Sequence, residues 1–247
     1  MARMYRNLAG TLRKSIRCGK ASLWGLQPKV IPQQFNHPRE IHSSLINNGS
    51  DGTGLVQQMY NKVFSTIPKS KLRASGYVLE THCSQAVDLK SFMEILEMPD
   101  TFYSWFLVTE LHIWLLGARL MAEGDMGRMV RNNIVEALWV DCDNRAKAIG
   151  DLASSVRSNY IMEMAEQFQA SLFVYDEGLL GNDIQLANAI WRRFFLSLKE
   201  ESEEQVPDPE KLELLVSYVR RTAHHLNQLD GVDIIVKNNV KWLKLVE

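Results

Sequence analysis

The run WFLVTELHIWLLGARL, from Trp105 to Leu120, decides most about how this chain folds. It is apolar at almost every position, yet Glu110, His112 and Arg119 interrupt it. A membrane span needs about 20 predominantly apolar residues with few or no charges. Between Asp100 and Arg119 there are 18 residues, with Glu110 in their middle, and a carboxylate at mid-membrane is expensive. The flanking segments are too polar to complete a polytopic bundle. A helix with Phe102, Trp105, Phe106, Ile113 and Leu116 on one side and Leu107, Leu111, Trp114, Leu115 and Ala118 on another is apolar all round. It belongs at the centre of a helical bundle.

The polar groups of such a helix must find partners or reach the surface. His112 and Arg119 are seven residues apart, about 10 Å along a helix, too far to share one metal ion. His112 is read as a hydrogen-bonded structural histidine, and Arg119 as the partner of Glu123 at i, i+4.

Around this run the periodicity is helical and no convincing two-residue alternation occurs, so the expected class is all-α: a single multi-helix bundle. LVQQMYNKVFSTI stops at Pro68, KLRASGYVLETHC follows, and DLKSFMEILEM ends before Pro99. Asp100 or Thr101 caps the central run. MGRMVRNNIVEALWVDCDNRAKAIG closes at Gly150, and a long helix from Asp151 runs to Tyr175-Asp176-Glu177-Gly178, where Gly178 supplies the stop. Asn182 or Asp183 caps IQLANAIWRRFFLSLK. In it Ile184, Ala187, Trp191, Phe194, Phe195 and Leu198 form a core stripe, with Arg192 and Arg193 on the rim. Pro207-Asp208-Pro209 precedes KLELLVSYVRRTAHHLNQL, whose stripe is Leu212, Leu215, Val216, Val219, Ala223, Leu226 and Leu229. DIIVKNNVKWLKLV reads as either strand or helix.

Charge is unevenly placed. Residues 1–39 carry eight of the 28 Lys/Arg and no acidic residue; the remaining 20 face 29 Asp/Glu, a net of −9. An Arg-rich, acid-free start, with Tyr5, Leu8, Leu12 and Ile16 near one helical face, has the composition of a mitochondrial presequence; a basic tail is the alternative. Residues 1–54 are therefore read as a disordered presequence and flexible lead-in, and 55–247 as the helical domain. Cys18, Cys83 and Cys142 are scattered and read as reduced thiols.

No Gly-rich phosphate loop, HExxH, GxSxG or paired CxxC occurs. Asp141-Cys142-Asp143-Asn144-Arg145 fails as a calcium loop, because Arg145 falls on a ligand position and Ala146 replaces the glycine. Asp141 and Arg145 suit an intrahelical ion pair instead. A metal- or acid/base-dependent enzyme would have to use His112, Asp141, Asp176 and Glu177, and no nucleophile or ligand cluster accompanies them. The net of −9 disfavours broad nucleic-acid binding, DNA included, while leaving a local ribosome contact open.

Five ordered motifs, PDTFYSWFLVTELHIWLLGARL, IVEALWVDCDNR, YDEGLL, LANAIWRRFF and LELLVSYVRR, resemble the ubiquinol–cytochrome c chaperone family over roughly Leu55 to Asp233. Arg193 departs from the small polar residue expected after the Trp-Arg pair. The resemblance implies a complex III assembly factor at the matrix side of the mitochondrial inner membrane; with no span read in the sequence, peripheral attachment through an apolar patch or partners is expected. It also implies partners: newly made cytochrome b, a small partner protein, and the mitochondrial ribosome near its tunnel exit. It implies no catalysis and no cofactor of the protein's own, the haem belonging to the client. The binding candidates in the family-like motifs are Trp105, His112, Trp114, Arg119, Asp141, Arg145, Asp176, Glu177, Trp191 and Arg192. Met121, Met126, Met129, Met162 and Met164 are adaptable apolar groups suited to a client surface or to core gaps.

Overall fold

Thr101 is the point from which the body is organised. Its hydroxyl accepts the Ser104 N–H at 3.2 Å, capping a 19-residue helix, Phe102–Leu120. The coordinates are a computed structural model that describes residues 67–150, 153–196 and 208–246. The helices are α1 Lys69–Gln85, α2 Leu89–Ile95, α3 Phe102–Leu120, α4 Gly124–Ile149, α5 Ser154–Leu180, α6 Asp183–Ile190, α7 Pro209–Gln228 and α8 Gly231–Ile235. Among the described residues there is no strand. The class is all-α, as the periodicity requires. The presequence, the lead-in, the helix expected over residues 55–67 and the acidic run from Glu200 to Glu204 lie outside the described residues or at their edge.

The central run is a core helix. Helix α3 packs against α1, α2, α4, α5 and α7, and its residues from Trp105 to Leu116 are all buried. Among the described residues one helical stretch, Phe102–Ile149, is long and apolar enough to cross a membrane, but 83% of its most apolar window is buried inside the body. Burial of that kind is what a bundle spine shows.

Helix ends follow their local chemistry. Asn182 and Gln185 form a reciprocal capping box at α6, and Asp208 with Pro209 at the first turn opens α7. Gly150, at φ 78°, closes α4 in the left-handed region that glycine favours.

Three expectations are corrected. Helix α5 does not stop at Gly178 but runs to Leu180, with Gly181 as its cap. Gly178 serves packing: a Cβ there would lie 2.9 Å from the Leu186 Cα and 3.2 Å from the Ala189 Cβ, so its absence lets α6 lie close against α5. Helix α6 gives way to a π-helical turn over Trp191–Leu196, and one buried face, Leu186, Ala189, Ile190, Arg193 and Phe194, runs through both at helical spacing. Arg193 is therefore buried rather than on the rim, and Ile184, assigned to the core, lies off that face and is 73% exposed. The α7 stripe also includes Tyr218 and Thr222, both fully buried. The ambiguous C-terminal stretch forms α8 and then an irregular tail that buries Val240 and Leu245.

Candidate functional site

The ten residues singled out in the sequence fall into separate clusters. At the far end of α3, Trp114 Nε1 donates to Asp176 Oδ1 at 2.7 Å and its ring lies 4.8 Å from that of Tyr175. Glu177, the next residue, is exposed. Arg119 holds Glu123 at 2.6 Å and donates to the carbonyls of Leu226 at 3.0 Å and Leu229 at 2.7 Å. It thereby satisfies acceptors that the end of α7 leaves open. Arg220, which the sequence did not distinguish, does the same for α5, reaching Leu179 O at 2.6 Å and Gly181 O at 2.8 Å.

His112 sits in an aromatic cage. Its Nδ1 faces the Val108 carbonyl at 2.7 Å and its Nε2 the Tyr218 hydroxyl at 2.7 Å, with the Trp242 ring edge-on at 4.7 Å. A neutral imidazole carrying its proton on Nδ1 satisfies both, donating to Val108 O and accepting from Tyr218. Burial pushes its pKa down to about 4, against the Val108 hydrogen bond. The same burial raises the Tyr218 phenol to about 12.

Glu110 is fully buried, and its partner is Arg193. Two bonds join them, Nε to Oε1 at 2.7 Å and Nη2 to Oε2 at 2.6 Å. Nη1 of Arg193 also donates to the Tyr103 hydroxyl at 2.8 Å, and the Tyr175 hydroxyl donates to Glu110 Oε1 at 3.4 Å. Burial pushes the Glu110 carboxyl upward while the Arg193 bonds pull it back. Because a guanidinium does not surrender its proton, the pair is ionised. Sequence reading marked Glu110 as anomalous and Arg193 as a departure, without joining them.

Trp105, Asp141 and Arg145 do come together. The Arg145 guanidinium lies 4.2 Å from the centre of the Trp105 ring, and its Nε donates to Asp141 Oδ2 at 2.7 Å, the i, i+4 pair expected. Beside them runs a groove between α1 and α4 of about 280 Å³, bordered by Val78, Glu80 and Thr81 on one side and Val140, Asp141 and Asn144 on the other. Sequence reading missed Glu80; its place on the buried face of α1 was the available signal. Trp191 is half-buried and Arg192 exposed.

His112, Asp141, Asp176 and Glu177 are thus not brought to one centre: the first three are engaged by Tyr218, Arg145 and Trp114. Among the described residues no group of three His, Cys, Asp or Glu side chains is placed to hold a metal ion. Cys83 and Cys142 are free and buried.

The outer side of α5 carries exposed hydrophobic residues among polar ones such as Glu166, Gln169 and Glu177. Met162, Phe173, Leu180 and Ile184 are exposed large hydrophobic residues. The first three recur at helical spacing along α5, and Ile184 follows at the start of α6. Fold and surface together define a helical scaffold whose buried ionisable groups Glu110, His112 and Arg193 are held by partners inside it.

Residues 94–242 match the ubiquinol–cytochrome C chaperone family, and the chain belongs to it. A ubiquinol-cytochrome c reductase complex assembly factor 1 from Drosophila melanogaster is 42% identical over 197 residues, covering 78% of this chain and 73% of that one. Its Xenopus laevis namesake is 38% identical over 179 residues, 72% of this chain and 86% of that one. The crystal structure of the Cbp3 homolog from Brucella abortus superposes with a TM-score of 0.58 at 17% identity, over 77% of this chain and 97% of that one. That last likeness concerns the fold.

Proposed function

We propose that this protein is a mitochondrial assembly factor for ubiquinol–cytochrome c reductase that binds newly made cytochrome b and holds it until assembly. It acts at the matrix face of the inner membrane, attached peripherally, beside a small partner protein and near the ribosomal tunnel exit. It works by binding and not by catalysis. The assembly-factor relatives support the role, and the basic, acid-free first 39 residues support the organelle.

The observation that carries the client-binding part is the exposed row Met162, Phe173, Leu180 and Ile184. A client made of apolar helices needs such a surface. Glu177 lies between Phe173 and Leu180 on that row. Together with Trp191 and Arg192 it keeps surface exposure, and these three are proposed to border the client. Trp105, His112 and Trp114 are buried and act through the fold.

The test is a mild-detergent pull-down of the tagged protein during labelled organellar translation. Recovery of labelled cytochrome b with a small partner, and little mature complex, is expected. Absence of labelled cytochrome b, with normal complex III after depletion, overturns the reading.

A further inference from the structure

Glu80 is 5% exposed, and although the Ser84 hydroxyl one turn on acts on its carboxyl, Oε1 has no hydrogen-bond partner. Leaving such an oxygen unsatisfied costs stability, and an orphan of this kind in a native fold calls for a partner. The oxygen's residue borders the α1–α4 groove. The groups around Glu80 are Cys83 and Ser84 from its own helix, Asp141, Cys142 and Arg145 from α4, and from α3 the Trp105 ring beneath Arg145. Arg145 is already committed to Asp141 and to that ring. Two carboxylates therefore share one guanidinium.

The borders of the groove say how a further cation can reach them. Val78 and Val140 are 42% and 46% exposed on opposite helices. The helices are close-set, for a Cβ at Gly76 would meet the Asn133 Cβ at 2.5 Å. A volume of about 280 Å³ falls at the small end of ligand pockets, but a groove between two parallel ridges suits a third helix. Arginine and lysine lay their apolar stems along hydrophobic surface and deliver charge at the tip.

We propose that the α1–α4 groove docks an amphipathic helix of a partner protein, which sets an arginine or lysine against Glu80 and Asp141 and aliphatic side chains on Val78 and Val140. Burial, first, and the nearby Asp141 hold the empty-groove Glu80 carboxyl at about 7. An incoming cation binds the ionised form, so docking tightens as pH rises toward 7 and levels off above it. The groove carries this inference whichever complex III component is the client. Failure of the cytochrome b pull-down leaves it standing, and its own failure leaves the assembly role standing.

The test places a photoreactive benzoylphenylalanine at Val140 in the full chain, in intact cells, and maps the cross-linked residue by mass spectrometry. A segment of another protein with an arginine or lysine within one helical turn of the cross-link is expected. The yield should fall at least tenfold on Glu80→Gln and on Val78→Glu, an exposed position, with both variants folded by circular dichroism. It should also rise between pH 6 and 8 in the parent but not in Glu80→Gln. Any of four results overturns the proposal: no adduct, an adduct to residues 1–39 or to a second copy, a segment without a cation, or a yield indifferent to Glu80→Gln.

Discussion

Arg193, on the π-helical turn after α6, closes on Glu110 at the middle of α3 with bonds of 2.7 and 2.6 Å. The carboxylate that made the central run unfit for a membrane is therefore tied to a residue 83 positions away. The arginine points inward because it shares the buried face of Leu186, Ala189, Ile190 and Phe194.

Breaking a buried pair leaves an unpaired charge, whereas replacing both partners does not. Arg193→Met is expected to lose about 3–5 kcal/mol of unfolding free energy. Glu110→Leu with Arg193→Met should recover most of that. Denaturant unfolding of the parent, both single variants and the double gives the coupling directly. A double variant as unstable as Arg193→Met alone would show that packing around the pair, and not its charge balance, is what the arginine supplies.

Local relationships were readable from the chain and long-range ones were not. Asp141–Arg145 and Arg119–Glu123 form because residues four apart on a helix are neighbours whatever the fold does. Thr101 and Asn182 cap because their short oxygens meet free N–H groups within three residues. Arg193 is misplaced by the sequence stripe because a charged side chain argues for the rim, while the buried face runs Leu186, Ala189, Ile190, Arg193 and Phe194 and sets that charge against Glu110, a partner visible only in three dimensions. Gly178 was read as a stop because a glycine near a helix end usually is one, while the approach of α6 that requires it is visible only in three dimensions. The sequence places Glu80 only as far as the buried face of α1; that its Oε1 goes unpaired there depends on α4 and is visible only in the fold.

Trp114 tests whether the conspicuous aromatics serve the fold or the client. Its indole N–H to the Asp176 carboxylate is a charge-assisted bond, and the ring is buried. Trp114→Ala should cost about 3–5 kcal/mol, and Asp176→Ala about 1–2 kcal/mol. Cytochrome b recovered per folded molecule should stay constant in both. Thermal melts paired with the pull-down separate the effects, and a loss of client at unchanged stability would move Trp114 to the binding surface.

His112 should stay neutral far below the ordinary histidine range. Its folded pKa is lowered to about 4 from 6.5, so the stability it contributes is fully present above 6.5 and is lost as pH falls from there toward 4. The full loss is roughly 3 kcal/mol. Nitrogen-detected NMR should find the Nδ1–H tautomer unchanged from pH 8 to 5. A His112 resonance titrating near 6.5 would mean that the Tyr218–Trp242 cage admits water.

Glu80 predicts the opposite slope. Its folded pKa is raised from 4.5 to about 7, so the folded state favours the protonated acid. Below 4.5 the carboxyl is neutral in both states and Glu80→Gln should change stability little. As pH rises from 4.5 through 7 the parent must ionise an under-partnered, buried group while the variant ionises nothing. Above 7 the variant should be the more stable, by about 1–2 kcal/mol once solvent screening from the open groove is allowed for. The difference between the two unfolding free energies, measured at pH 5 and pH 8, cancels every titration they share. A difference that is flat across that range, or that favours the parent at pH 8, would mean that Glu80 has a partner inside the free protein and that the groove is not waiting for a cation.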